Sequence, residues 1–125
     1  MARGLRGLLM TFCVLASSAC DVLSPTTCTT EADPGIVVII RSATGQLDPR
    51  TVNVRIEGKE YREEPYVSWF DDTSLVASGA SERPGVYRVV IQAVGHVEWV
   101  ANSVRVVERG CHVATVRLHA DLLKL

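Results

Sequence analysis

The chain has 125 residues, of which 47% are hydrophobic and 22% are charged, and its formal net charge is −1. This length suits one domain, and the composition is typical of a globular protein rather than a disordered one. A nearly neutral chain lacks the basic excess with which proteins bind a phosphate backbone, so no nucleic-acid partner is predicted.

Residues 1–19 have the pattern of a secretory signal peptide. Arg3 and Arg6 provide a positive start, Leu8–Ala16 is apolar, and the small residues Ser17–Ala19 follow. Export signals share this order, and the apolar stretch is shorter than the roughly 20 residues that span a bilayer. The alternative, a buried N-terminal helix, has neither a cap nor an apolar stripe to support it. Once the signal peptide with Arg3 and Arg6 is removed, the predicted mature chain has 11 basic and 14 acidic residues and is therefore slightly acidic.

Cys20 directly follows the predicted cleavage position after Ala19. The segment Leu15–Cys20 resembles a bacterial lipobox, and it departs from that pattern at Ser17, where the family prefers leucine. The resemblance implies that Cys20 is lipidated and becomes the N-terminus, so that lipid chains hold the protein on a membrane of the bacterial cell envelope. Without lipidation, the same cleavage predicts an exported protein that is periplasmic or secreted.

The remainder divides into a tether and one domain. Residues 20–34 are rich in Ser, Thr, Pro and Asp and show no periodicity, which predicts a tether. Residues 35–125 contain short apolar runs separated by turn signals, which predicts an all-β, seven- or eight-stranded antiparallel sandwich. The predicted strands are Ile36–Ile40, Thr51–Glu57, a short strand near Tyr61, Leu75–Ala80, Val86–Ala93, Val97–Ala101, Val104–Val107 and His112–Leu118.

Two of these strands indicate how the layers are buried. The run Ile36–Ile40 is continuously β-branched, which is typical of a strand covered on both faces. Thr51–Glu57 alternates instead, with Val52, Val54 and Ile56 on one side of the strand. Such a period of two places one face against a core and the other in water.

The four cysteines are Cys13, Cys20, Cys28 and Cys111. Cys13 belongs to the predicted signal peptide, and lipidation occupies the sulfur of Cys20. An even pair in an exported domain predicts a disulfide between Cys28 and Cys111, with two unpaired buried cysteines as the alternative. A zinc site is not predicted, because Cys28 has no Cys-x-x-Cys partner.

One segment carries a family resemblance. The stretch Gly85–His96, GVYRVVIQAVGH, resembles the G-x-Y-x-V-x-V-x-A-x-G-Y signature of carboxypeptidase regulatory-like domains, with His96 in place of the final aromatic residue. The resemblance implies a transthyretin-like (prealbumin-like) β-sandwich that acts as an accessory or interaction domain without catalytic residues. Between the sheets, Tyr87 and the alternating apolar residues of this segment are expected to pack.

The aromatic residues are the candidates for contact with a ligand or partner. Tyr66 and Trp69 fall with Phe70 in the irregular segment 63–74, where functional loops commonly lie, and Trp99 follows later. Aromatic side chains anchor protein partners or stack on sugar rings, which predicts an interaction domain or, alternatively, a carbohydrate-binding module. The other interpretation is that they cover one end of the core.

No catalytic site, metal or cofactor is predicted. His112 and His119 lie seven positions apart and face opposite sides of a regular strand, and His96 follows a turn. The acidic residues between 60 and 72 lack the spacing of a calcium loop and predict a solvated loop. A hydroxyisourate hydrolase of the transthyretin-like fold ends in Tyr-Arg-Gly-Ser, whereas this chain ends in Leu-Leu-Lys-Leu. The serines Ser68, Ser74 and Ser78 have no base nearby in the sequence, so no acyl-transfer site is predicted.

Overall fold

The structure is a computed structural model that describes residues 28–125. The predicted signal peptide (1–19), the lipidation site Cys20 and the first part of the predicted tether (20–27) lie outside the described residues. Across residues 28–125, no helix is long and apolar enough to cross a membrane.

Strands form almost all of the regular structure. One sheet has the strand order β4-β5-β1-β9, and the other has the order β3-β2-β6-β7-β8. Because the two sheets enclose one hydrophobic core, the prediction of an all-β sandwich is confirmed. The strands are β1 (Ile36–Ser42), β2 (Val52–Glu57), β3 (Arg62–Glu63), β4 (Ser68–Trp69), β5 (Leu75–Gly79), β6 (Gly85–Ala93), β7 (Trp99–Arg109), β8 (His112–Ala114) and β9 (Val116–Leu122).

The core follows the alternation of the sequence. In β2 every second side chain is buried between the sheets, and the intervening ones are more exposed. In β6 the same alternation is interrupted at Val90, which is buried although it does not belong to the core cluster between the sheets. In β1, Ile39 is buried although it is not part of the main core cluster, whereas Val37 on the same face is half-buried and Arg41 is exposed. The outer face of this central strand is therefore covered only in part, not along its whole length as predicted. Tyr87 of β6 is buried, and its hydroxyl donates a hydrogen bond of 2.7 Å to the carbonyl oxygen of Arg83. The aromatic ring thus fills the core while its polar atom is satisfied.

Over the residues that the structure describes, the sandwich has nine strands rather than the predicted seven or eight, because the segment predicted to be irregular contributes β4 and one predicted strand is divided in two. Three further details differ from the sequence prediction. First, β9 runs parallel to β1, so one pair of the sandwich is not antiparallel. Second, the two strands predicted over residues 97–107 are one strand, β7, which contains a bulge where Ser103 has a φ of 56°. Third, residues 112–118 divide at Thr115, because β8 pairs with β7 while β9 pairs with β1 in the other sheet. Periodicity reports which face is buried, but it does not report strand direction or sheet membership.

The strand registers define two opposite ends of the sandwich. Cys28 and Cys111 form a disulfide, with their Cα atoms 5.4 Å apart, beside the start of β1 and the 80–84 turn. We call this the tether end, and the predicted disulfide is confirmed. The distal end is formed by the 42–51, 70–74 and 94–98 loops, by residues 66–69 beside the 46–50 turn, and by residues 123–125.

Candidate functional site

Exposed apolar side chains gather at the distal end. Of the nine large hydrophobic residues that are exposed in the described part of the chain, seven lie there. Monomeric proteins seldom present many large apolar side chains together on the surface unless something binds them. An aromatic group contains Tyr66, Trp69 and Phe70, and an aliphatic group contains Val94, Val97, Leu123 and Leu125.

The 42–46 turn contacts the loops that carry both groups. On one side, Gln46 Nε2 donates a hydrogen bond of 2.8 Å to the carbonyl oxygen of Asp72, in the loop after Phe70. On the other side, Ser42 Oγ lies 2.9 Å from His96 Nε2, in the loop between β6 and β7. The turn therefore joins the two groups into one end surface.

Two of the predicted contact residues line a single groove. Tyr66 is 86% exposed and Trp69 is 50% exposed, and both face an open groove of about 560 Å³. Between them, Val67 is buried in the core and anchors the crossing from one sheet to the other. We call this the aromatic groove, and its wall is formed by Gln46, Leu47, Asp48, Pro49, Arg50, Tyr66, Val67, Ser68 and Trp69.

An ion pair forms the polar side of the aromatic groove. Arg50 donates to both carboxylate oxygens of Asp48, with the shorter contact at 2.8 Å. Asp48 Oδ1 also accepts the backbone N–H of Arg50, and these bonds to Arg50 hold the pKa of Asp48 below its ordinary value. The groove thus combines the aromatic faces of Tyr66 and Trp69 with the Asp48–Arg50 ion pair, whose geometry is fixed by hydrogen bonds within the 48–50 turn.

The loop that carries Phe70 is internally braced. The backbone N–H of Phe70 donates to the carbonyl oxygen of Ser74 at 2.9 Å, and Asp71 Oδ1 accepts the N–H of Thr73 at 2.8 Å. The bond from the Thr73 backbone N–H holds the pKa of Asp71 below its ordinary value. Phe70 is 54% exposed on this braced loop, so its ring is presented to solvent on a defined support.

Trp99 does not join this group. It lies at the start of β7, is half-buried and packs against the core, and it does not line the aromatic groove. The acidic residues of the 60–72 segment are also separated. Glu63 accepts hydrogen bonds from Tyr61 and from the N–H of Ala80, toward the tether end, whereas Asp71 lies at the distal end. The structure therefore brings together Tyr66 and Trp69 only.

Ser42 and His96 form a hydrogen-bonded pair. His96 Nδ1 lies 2.9 Å from the carbonyl oxygen of Val94, which can only accept, so Nδ1 carries the proton in a neutral ring. Nε2 then accepts the Ser42 hydroxyl, which is the first contact that a serine nucleophile needs. The hydroxyl also accepts the N–H of Thr44 at 3.3 Å, and a backbone carbonyl stands where a catalytic triad has a carboxylate. The pair ties the end of β1 to the loop before β7.

A cluster of chelating groups lies at the tether end. His112 Nδ1 is 2.6 Å from Glu82 Oε1 and 4.0 Å from Asp33 Oδ2. Its other ring nitrogen, Nε2, lies 2.9 Å from the hydroxyl of Thr29. Glu82 raises the pKa of His112, mainly through their hydrogen bond, and the N–H of Asp33 followed by His112 lowers the pKa of Glu82.

Sequence reasoning did not identify several of these residues. Gln46 and Arg50 belong to a turn that reaches Tyr66 and Trp69 only across the fold. Asp33, Glu82 and His112 are far apart in sequence, so no local spacing signals the cluster. Only contacts between distant segments reveal these groups.

The chain was also compared with known proteins. No family model, no curated protein and no solved structure matches it. The fold and the geometry of its two ends therefore carry the functional argument, and the resemblance of residues 85–96 to carboxypeptidase regulatory-like domains stays a prediction.

Proposed function

We propose that this protein is a non-catalytic interaction domain of the bacterial cell envelope. In this proposal, the signal peptide directs export, Cys20 carries a lipid anchor, and the distal end binds a protein partner. The supporting observation is that the exposed apolar residues gather at the end opposite Cys28, the first described residue after the predicted anchor. An anchored domain of this shape holds one end near the membrane and leaves the other accessible.

Burial of the distal surface gives such binding its driving force. Apolar area removed from water contributes roughly 25 cal/mol per Å², and aromatic side chains are common anchors at interfaces. Trp69 and Phe70 are each about half exposed and lie on a short strand and a braced loop, so little ordering is required when they bind. A partner with an apolar face therefore fits this end.

Site-specific photo-crosslinking in living cells tests the proposal. A photoreactive phenylalanine analogue at Phe70 is expected to yield a discrete crosslinked protein that mass spectrometry identifies. The same analogue at Val86 is the matched control, because Val86 is 50% exposed but lies on β6 near the tether end. Equal crosslinking from both positions, or none from Phe70, contradicts a distal interface.

The lipid anchor is tested separately. Metabolic labelling with a fatty acid is expected to mark the wild-type protein and not the Cys20→Ser variant, while Cys28→Ser keeps the label. A wild-type protein that is released without label rules out the anchor and leaves a periplasmic or secreted domain.

A carbohydrate ligand is the second candidate function. The aromatic groove favours it, because Tyr66 and Trp69 stand beside the polar groups of Gln46 and Arg50, and sugars combine stacking faces with hydroxyl groups. On a glycan array, Trp69→Ala is expected to abolish binding if this function is correct. Trp99→Phe is the control outside the groove. A protein that binds no glycan leaves only the protein partner.

The absence of catalysis is part of the proposal. Within residues 28–125, Ser42 is hydrogen-bonded to the ring of His96, and a fluorophosphonate reagent that labels activated serines is therefore the direct test. We expect no labelling above that of the Ser42→Ala variant. Labelling that depends on both Ser42 and His96 contradicts the proposal.

A further inference from the structure

We propose that Asp33, Glu82 and His112 bind a divalent first-row transition-metal ion, with zinc as the best fit, at the tether end. This inference does not depend on the proposed function, because the aromatic groove lies at the other end of the sandwich. The cluster supplies one imidazole nitrogen and two carboxylate oxygens, all within 4.8 Å of one another.

Three separate segments bring the ligands together. Asp33 lies just before β1, Glu82 lies in the turn between β5 and β6, and His112 begins β8. All three side chains are half-buried, so an ion has access from solvent while part of its surroundings is protein. The disulfide at Cys111 adjoins His112 and fixes this corner of the fold.

The backbone holds Glu82 in place for this role. Its N–H donates to the carbonyl oxygen of Asp33 at 3.0 Å, and its Oε1 accepts the N–H of Asp33 at 2.6 Å. Glu82 has a φ of 53°, in the left-handed region that non-glycine residues seldom adopt. This reciprocal pairing fixes both carboxylate-bearing residues with respect to each other.

Thr29 orients the imidazole. Its hydroxyl lies 2.9 Å from Nε2 of His112, and a hydroxyl both donates and accepts. Without an ion, the 2.6 Å contact between Nδ1 and the Glu82 carboxylate requires a proton on Nδ1, and a bound ion displaces that proton to solvent. Nε2 then keeps its own N–H, which donates to Thr29, and Nδ1 presents its lone pair toward the two carboxylates. Metal-binding histidines characteristically donate their other ring N–H in this way, which fixes the tautomer.

An ion fits after small movements. Zinc binds nitrogen and oxygen at about 2.0–2.1 Å, so tetrahedral ligand atoms are about 3.3 Å apart. Nδ1 and Glu82 Oε1 must separate from 2.6 Å, and Nδ1 and Asp33 Oδ2 must approach from 4.0 Å. Both changes are below about 1 Å, and the two carboxylate oxygens, which lie within 4.8 Å of each other, approach by at most about 1.5 Å. Rotation of the three half-buried side chains provides movements of this size.

The ligand set selects the class of ion. An imidazole with two carboxylates suits zinc and its neighbours, whereas calcium prefers six to eight oxygen ligands. Two carboxylates also balance the charge of a divalent ion. Three protein ligands leave at least one coordination position for water or for a fourth group.

Calorimetric titration of the disulfide-intact protein with zinc chloride, at neutral pH after dialysis against a chelator, tests the site. We expect saturable binding of one ion per chain. His112→Asn is expected to weaken binding about 100-fold or more, and Thr29→Val about tenfold, because loss of an orienting partner typically costs 10- to 100-fold. His119→Asn, an exposed histidine on β9, is the matched control and is expected to bind like wild type.

Two further measurements keep the test decisive if His112→Asn fails to fold. Asp33→Asn retains the backbone pairing with Glu82 and is expected to fold and to bind zinc more weakly. Nitrogen-15 NMR of the imidazole is expected to show a large zinc-dependent shift at Nδ1 of His112 and a small one at Nε2.

The proposal is overturned by any of three results. These are no saturable zinc binding, zinc binding that is equal in the wild-type and His112→Asn proteins, and tighter binding of calcium than of zinc. In each case, the three residues act only as a hydrogen-bonded clamp on the segment that precedes β1.

Discussion

The two ends of the sandwich differ in their covalent links and in the apolar side chains that they expose. At the tether end, polar and covalent links join distant segments: the Cys28–Cys111 disulfide, the His112–Glu82 pair and the hydrogen bond from the N–H of Asp33 to Glu82. At the distal end, apolar side chains remain in water on short braced loops. The comparison suggests that one end maintains the fold while the other is available for contact. Stability and binding are therefore expected to respond to different substitutions.

The disulfide gives the largest expected effect. It joins residues 83 positions apart in sequence, and the chain-entropy model assigns such a loop about 4–5 kcal/mol of stability. The double variant Cys28→Ser/Cys111→Ser is therefore expected to lose about that much in urea unfolding, with an increased m-value. Wild-type protein under reducing conditions is the control. Unchanged stability contradicts the assignment of this end as the anchor of the fold.

The tyrosine hydroxyl at the tether end gives the next largest effect. Tyr87→Phe removes the bond to the Arg83 carbonyl and leaves that acceptor without its partner, which costs about 1 kcal/mol. Tyr66→Phe removes a hydroxyl from a side chain that is 86% exposed at the distal end, and no change is expected. Chemical denaturation of the two variants compares the ends directly. Equal losses contradict the distinction between them.

The His112–Glu82 pair predicts a smaller, pH-dependent effect. The pKa of His112 is raised from 6.5 by Glu82, so its stabilisation is complete below pH 6.5 and is lost as pH rises through the folded-state value. The pKa of Glu82 is lowered from 4.5, so its stabilisation is lost only as pH falls through the lower folded-state value. The pair, with Asp33 facing it, therefore contributes its full stabilisation between about pH 4.5 and pH 6.5, where both partners are charged.

Thermal unfolding in the presence of a chelator measures this effect. The pair's contribution to Tm is expected to be larger at about pH 5.5 than at about pH 8.5. His112→Asn is expected to lose the additional Tm that the pair contributes at about pH 5.5, whereas His119→Asn is expected to keep it. Identical pH profiles for all three proteins argue against the pair as a link in the tether end.

The smallest effect is expected at the distal end. Phe70→Ala keeps the backbone bond to Ser74, and the side chain is 54% exposed, so unfolding free energy is expected to change by less than about 0.5 kcal/mol. The same variant is expected to lose contact with the protein partner. A destabilisation above about 1 kcal/mol shows that Phe70 supports the fold rather than an interface.

Local pattern predicted much of the architecture and one part of the candidate surface. Tyr66 and Trp69 were identifiable because aromatic residues in an irregular polar segment have few neighbours in sequence to bury them. Residue type alone groups Trp99 with them, whereas the fold places it against the core. Arg50 and Gln46 were missed because their contacts with the aromatic segment depend on how the turns meet.

The sequence by itself determined the alternating burial of β2, and cysteine parity favoured the pairing of Cys28 with Cys111. Side-chain period and cysteine parity are local or countable properties, so they need no coordinates. Only the tertiary structure decided that β9 is parallel to β1, that Thr115 divides two sheets and that Asp33, Glu82 and His112 meet. Those outcomes depend on which distant segments become neighbours when both sheets close on one core.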